Sequence, residues 1–170
     1  MRVLGVDPGL TRCGVAVVDG DPGRAMRADY ISVITTEAAV PVQDRLARVY
    51  AGIEALVDAY PIEVIAVERV FSQHNVRSAM GTAQAGAMAL AIAGQRGIPV
   101  ALHTPTEVKA AITGNGRADK AQVAAMVVRL LRLDQAPRPA DAADAAAIAL
   151  CHILRGAALS RLHDLARTQR

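Results

Sequence analysis

The hydrophobic pattern changes period several times along the chain, and each change marks an element. Arg2 to Asp7 is a short apolar run stopped by Asp7-Pro8-Gly9, and Cys13 to Asp19 is a second, ended by Asp19-Gly20-Asp21-Pro22-Gly23; both read as strands. Ala28 to Thr35 predicts a third. From Pro41 to Tyr60 the period lengthens. Leu46, Val49, Tyr50, Ile53, Leu56 and Val57 recur at the spacing of a helix with one apolar face, and Pro61 ends it. Ile62 to Glu68 is nearly continuous apolar sequence, the mark of a central strand covered on both faces. Val76 to Arg96 predicts a helix of small residues, and Ile98 to His103 a fifth strand. Thr104-Pro105-Thr106-Glu107 then supplies an N-cap, an N1 proline and an N3 glutamate for a further helix. After Gly114-Asn115-Gly116 comes a helix over Ala118 to Leu131. Beyond the Pro137 to Pro139 hinge comes a last one, over roughly Ala140 to Leu154. The polar, basic stretch from Arg155 to Arg170 reads as a tail.

Three strands in a meander, followed by alternating helices and strands, predict an α/β fold with a mixed five-stranded sheet flanked by helices. A strand-helix-strand crossover is right-handed and returns a parallel strand, which places the fourth strand beside the first. Asp7 and Glu68 then stand side by side, each at the C-terminal end of a buried strand, the edge at which open α/β sheets bind ligands.

Composition narrows the class. The 170 residues match one domain, since domains typically run to about 100–200 residues. Apolar residues make up 52% of the chain, but with one Phe, three Tyr and no Trp the core must come from Val, Ile, Leu and Ala. That excludes disordered and collagen-like classes. The longest uncharged stretch, Ser78 to Gly94, is broken by Thr82 and Gln84 and falls short of the roughly 18 apolar residues of a membrane span. The N-terminus is too short in apolar residues for a secretory segment, so a cytoplasmic protein without membrane contact is expected. Cys13 and Cys151 show no CxxC or Cys/His spacing and read as small buried hydrophobes. A net charge of +3 does not by itself point to a polyanion. The only lysines, Lys109 and Lys120, flank the Gly114-Asn115-Gly116 loop.

Four carboxylates change this picture. Asp7 alone is explained by ordinary Asp-Pro-Gly turn chemistry. Glu68 closes an apolar run as a partly buried carboxylate, uncommon unless paired or metal-bound. Asp141 and Asp144 share one face of the last helix, in the first turn where its dipole favours negative charge. If the four converge, each like-charge pair at about 4 Å costs on the order of 4 kcal/mol at an effective dielectric of about 20. Hard divalent cations with oxygen ligands, Mg²⁺ or Mn²⁺, would neutralise such a cluster. Two ions about 3.5–4 Å apart activate a water and stabilise the leaving oxygen of a phosphodiester. The expected reaction class is metal-assisted phosphodiester hydrolysis.

Three separated motifs carry a resemblance. Gly5-Val6-Asp7-Pro8-Gly9-Leu10-Thr11-Arg12-Cys13-Gly14, then Glu68-Arg69-Val70-Phe71 followed by Asn75, then Asp141-Ala142-Ala143-Asp144-Ala145 resemble, in order, the motifs of the RuvC family of Holliday-junction resolvases. The resemblance implies a ribonuclease-H-like fold over residues 1–156. It also implies a homodimer and paired nicks across a four-way DNA junction that leave 5′-phosphate ends. By the same resemblance Asp7, Glu68, Asp141 and Asp144 are the catalytic, metal-binding residues. Phe71 is expected to stack at the junction crossover, where an isolated Phe would otherwise be core. Lys109, Lys120, Gly114, Gly116 and Arg117 are expected to contact DNA, where the plain alternatives are a solvated helix face and a helix connection. Cooperation with the RuvAB branch-migration complex is implied too. The chain departs from some family members in carrying Ser72-Gln73-His74 where a lysine follows the Phe, and residues 157–170 form a basic tail outside the resemblance.

An actin-like or sugar-kinase ATPase shares the Asp7-Pro8-Gly9-Leu10-Thr11 loop, but needs a second phosphate loop and about twice the length. A shorter RuvC-like nuclease shares the first motif but not the Glu-Arg-Val-Phe segment with paired helix aspartates. A non-catalytic DNA-binding scaffold has no use for four carboxylates. For the dimer, the Val76 to Arg96 helix offers Ala79, Ala83, Gly86, Ala87 and Leu90 on one face and Met80, Gln84, Met88 and Ala91 on the next; packing of both faces inside the monomer is the alternative.

Overall fold

In the computed structural model the described backbone covers residues 1–21, 23–69 and 76–168, and the described side chains are these except 76–78 and 157–168. The strands β1 (Arg2–Asp7), β2 (Arg12–Asp19) and β3 (Arg27–Thr35) form the antiparallel meander. On the other side of β1, β4 (Val64–Glu68) and β5 (Val100–His103) add in parallel, giving the order β3-β2-β1-β4-β5. The mixed five-stranded sheet and the adjacency of the first and fourth strands match the sequence expectation. The strands Val64–Glu68 and Val100–His103 start two residues later than their apolar runs, because the preceding residues belong to the turns after Pro61 and Gly97.

Alternation along the strands sends side chains into two cores. Leu4, Val6, Val15, Val17, Ile65 and Val67 face α1 (Val42–Ala59) and α2 (Val76–Arg96). Val3, Ala16, Val18 and Ala66 face α3 (Pro105–Thr113), α4 (Lys120–Leu131) and α5 (Ala140–Thr168). The predicted start of α3 is a full capping box: Thr104 Oγ1 accepts the Glu107 amide at 3.2 Å, and Glu107 Oε2 accepts the Thr104 amide at 2.8 Å. The structure differs from the sequence expectation at two places. The last helix does not stop near Leu154 but runs to Thr168. Its second half has no proline and one glycine, and Ala, Leu and Arg sustain a helix as well as they form a polar tail. The faces proposed on α2 for a partner are also not both free. Gly86 is buried against Pro8, 3.5 Å from where its Cβ would stand, while Ala83, Ala87, Leu90, Met80 and Ala91 are exposed. Ala85, Ala89, Ile92 and Ala93 point into the core instead.

The closest contact between layers is made by α5 on the β1–β2 hairpin. A Cβ on Gly5 would overlap the Ala145 carbonyl oxygen and lie 2.9 Å from Ala149 Cβ, and a Cβ on Gly14 would overlap the Asp141 carbonyl. The facing helix surface is correspondingly small: Ala142, Ala145, Ala146 and Ala149 are all buried. Substituting Gly14→Ala is therefore expected to cost about 3 kcal/mol in urea denaturation, the upper end for overpacking, because the obstacle is backbone rather than a side chain. Gly81→Ala, whose Cβ would meet only Leu10 at 3.5 Å, is the control and should be neutral or stabilising. Equal stability of the two variants would show that α5 does not depend on a bare backbone at Gly14.

Candidate active site

β1 ends at Asp7 and β4 at Glu68, and their parallel register pairs Val6 with Val67, so the two carboxylates leave neighbouring strand ends together. The antiparallel ladder pairs Asp7 with Gly14 on its other side. Because the Asp141 carbonyl sits over Gly14, the same missing Cβ that lets α5 approach brings its first turns to Asp7. One cavity of about 290 Å³ is lined by Asp7, Glu68, Asp141, Asp144, Lys109 and Lys120, with Val108, Val123 and Ile148 as apolar wall.

The charges in it are unevenly compensated. Lys120 Nζ lies 3.0 Å from Asp144 Oδ2, and Arg12 Nε lies 3.1 Å from Asp141 Oδ2. Among the described residues neither Asp7 nor Glu68 has an ion-pair partner. Burial, then the nearby Glu68, Asp144 and Asp141 charges, pushes the Asp7 carboxyl up to about 7, with Lys120 opposing. Glu68 is raised by burial and by Asp144, against Lys120 and Lys109. Asp144 in turn raises Lys120 through its hydrogen bond. An all-oxygen donor set with a desolvated, mutually repelling pair at its centre fits hard divalent cations. Among the described residues no three ligands are already gathered round one point; with Asp141 and Asp144 drawn to Arg12 and Lys120, the cluster is open.

The other predicted residues are placed less uniformly. Gly114 caps α3 in the left-handed conformation at φ 76°, and a Cβ on Gly116 would come within 2.9 Å of Thr106 Cγ2, so both serve the tight α3–α4 connection. Arg117 is exposed on that connection, outside the cavity. Phe71 lies outside the described residues. The pairing of Arg12 with Asp141 is not visible in sequence, since it joins a strand start to a helix far along the chain. The same holds for His103 and His152, whose rings meet at 3.3 Å beside the β4–β5 end and which burial holds toward the neutral form.

The family model of crossover junction endodeoxyribonuclease RuvC matches residues 3–152. The chain belongs to the RuvC family. A relative of the same description from Streptomyces avermitilis is 64% identical over 164 residues, covering 96% of this chain and 93% of its own. One from Streptomyces griseus is 59% identical over 170 residues, covering 100% and 83%. The solved structure of Thermus thermophilus RuvC in complex with a Holliday junction substrate superposes with a TM-score of 0.88 at 35% identity, covering 92% of this chain and 94% of that one. The sheet with its flanking helices is thus the ribonuclease-H-like fold of the RuvC family.

Asp7 gives this RuvC-family site a pH signature. Its folded-state pKa of about 7 lies above the ordinary 3.8, so the stability it contributes is complete below the ordinary value and is lost as pH rises through about 7. Without divalent metal, the melting temperature of the wild-type protein should fall between about pH 4 and pH 7 and level off above it, whereas Asp7→Asn should stay flatter and melt higher at the alkaline end. Scanning calorimetry across that range checks it; parallel curves for the two proteins would contradict the frustrated-carboxylate reading.

Proposed function

We propose that this protein is a divalent-metal-dependent Holliday-junction resolvase, acting in homologous recombination and DNA repair. The observation that carries the proposal is the gathering of Asp7, Glu68, Asp141 and Asp144 in one cavity with Lys109 and Lys120 at its wall. The four carboxylates would hold two Mg²⁺ ions, replaceable by Mn²⁺, which supply activation of the attacking water and stabilisation of the leaving oxygen. The residues themselves bind and orient. Lys109 and Lys120 attract the scissile phosphate, and the apolar wall of Val108, Val123 and Ile148 limits bulk water. Water adds to phosphorus, the P–O3′ bond breaks, and a 5′-phosphate and a 3′-hydroxyl result. Phe71 stacks on an unpaired base at the crossover, and Gly114, Gly116 and Arg117 run along the DNA backbone. Residues 1–156 form the nuclease domain, with 157–170 as a basic C-terminal tail. The protein works in the cytoplasm together with a RuvAB branch-migration complex.

A two-fold junction presents two equivalent strands, which a two-fold protein can cut in a pair. The homodimer seam we assign to α2 is supported by exposed Met80 (58%) and Leu90 (41%) around Ala83 and Ala87. On edge strand β5, Val100 and Leu102 are exposed too, on the sheet face shared with Ile65 and Val67, with which they pair. Large apolar side chains left exposed on one side of a sheet are a mark of an interaction surface.

On a synthetic four-way junction with Mg²⁺, Asp7→Asn or Glu68→Gln should lower nicking by more than about a hundredfold while junction binding persists, because strand grip and transition-state stabilisation are separate interactions. Near-normal nicking by either would remove the carboxylates from the mechanism. Ala87→Glu, an exposed position, should convert a dimer to a folded monomer in light scattering and paired cuts in a cruciform plasmid to single nicks. A dimer that survives both Ala87→Glu and Ala83→Glu would put the interface elsewhere.

A further inference from the structure

A second cavity, of about 360 Å³, adjoins the acidic one and shares Asp141 with it; Thr11, Arg12 and Arg45 line it. Arg45, at the start of α1, reaches across it. Its Nε lies 2.9 Å from Thr36 Oγ1 and its Nη2 2.8 Å from Thr11 Oγ1, and the Thr36 hydroxyl in turn donates to the Leu10 carbonyl. The guanidinium is thus aimed by neutral hydroxyls. Among the described residues no carboxylate lies within ion-pair distance of it, although Asp44 is its chain neighbour. A neutral clamp fixes direction without cancelling charge, so Arg45 presents a pre-oriented, uncompensated cation. Arg12, 60% exposed, lines the same cavity, with its Nε 3.1 Å from Asp141 Oδ2.

We propose that this Thr11–Arg12–Arg45 groove binds the backbone phosphate next to the scissile one on the strand being cut. The inference rests on the resolvase reading and adds a second grip to it. A DNA strand carries one phosphate per about 3.4 Å of helix axis, so a strand whose scissile phosphate lies between the lysines and the four carboxylates has a neighbour within reach of the adjoining cavity. The planar fork of Arg suits a phosphodiester through two parallel donors. The lysines then hold one side of the cut and the arginines the other, with Asp141 between, and the bond to be broken is fixed from both directions. Arg12, on the wall of the same groove, adds a second guanidinium.

Binding of a fluorescent four-way junction to the full-length protein in Ca²⁺, titrated with salt from about 50 to 200 mM, tests it. Arg45→Gln removes the charge and leaves a shorter, neutral amide on α1. It should weaken binding about tenfold and reduce the log-affinity against log-salt slope by about 0.9. Arg45→Lys should restore the slope but not the full affinity. A second measurement uses the wild-type protein. Methylphosphonate placed at single positions beside the scissile phosphate should reproduce the loss at one position only, and there the Arg45→Gln change should add nothing further. An unchanged slope in Arg45→Gln, or methylphosphonates without effect at every flanking position, overturns the groove. Failure of the wild-type protein to prefer a junction over linear duplex would instead overturn the resolvase reading itself.

Discussion

The first half of α5 lies directly on the backbone of the β1–β2 hairpin, at Gly5 and Gly14, and the rest of the site is a consequence of that contact. A single methyl group at either glycine would meet a helix carbonyl. Close approach needs small residues on the helix as well, which is the physical meaning of Ala142, Ala145, Ala146 and Ala149 and of much of the chain's alanine content. Alanine buries little area, so the hydrophobic driving force is carried by the strands and the other helices, with Leu4, Ile53, Ile65, Ile92 and Ile148 fully buried. The arrangement trades packing energy for position. It sets Asp141 and Asp144 over the strand ends that carry Asp7 and Glu68.

That position is electrostatically unfavourable on its own. Asp7 and Glu68 are partly desolvated, and burial raises both carboxyls, with Glu68, Asp144 and Asp141 adding to the rise of Asp7 and Asp144 to that of Glu68. The fold pairs the outer two with its own cations, Lys120 on Asp144 and Arg12 on Asp141, and leaves the inner two without an ion-pair partner among the described residues, opposed only in part by Lys120 and Lys109. A stored repulsion of this kind lowers the stability of the metal-free protein and raises the affinity for external positive charge, a familiar exchange of stability for activity at functional sites. The compensating cations are exposed and tethered by single ion pairs, so they can exchange a carboxylate for a phosphate at little cost.

Much of this was legible before any tertiary structure. The strand ends at Asp7 and Glu68 are marked by runs that stop abruptly on charge, and the right-handed crossover rule alone makes those ends neighbours. The start of α3 is written in Thr104, Pro105 and Glu107, because a capping box is a local interaction complete within four residues. The end of α5 was misread for the complementary reason. Nothing local stops a helix in Ala157-Ala158-Leu159, and polarity alone does not. Gly114 and Gly116 were read as a DNA loop, while the structure also gives them a plain conformational duty in capping α3 and packing on Thr106.

The sequence by itself determined the three-strand meander, the neighbouring first and fourth strands, the family motifs and the four candidate carboxylates, since each rests on periodicity, turn chemistry, crossover handedness or a contiguous motif. Tertiary structure alone decided which cations answer which carboxylates, which face of α2 is left uncovered, and that Arg45 is aimed by two threonines from other elements. Those contacts join residues far apart in the chain, and their energies depend on distance and burial, which no local pattern of residue types encodes.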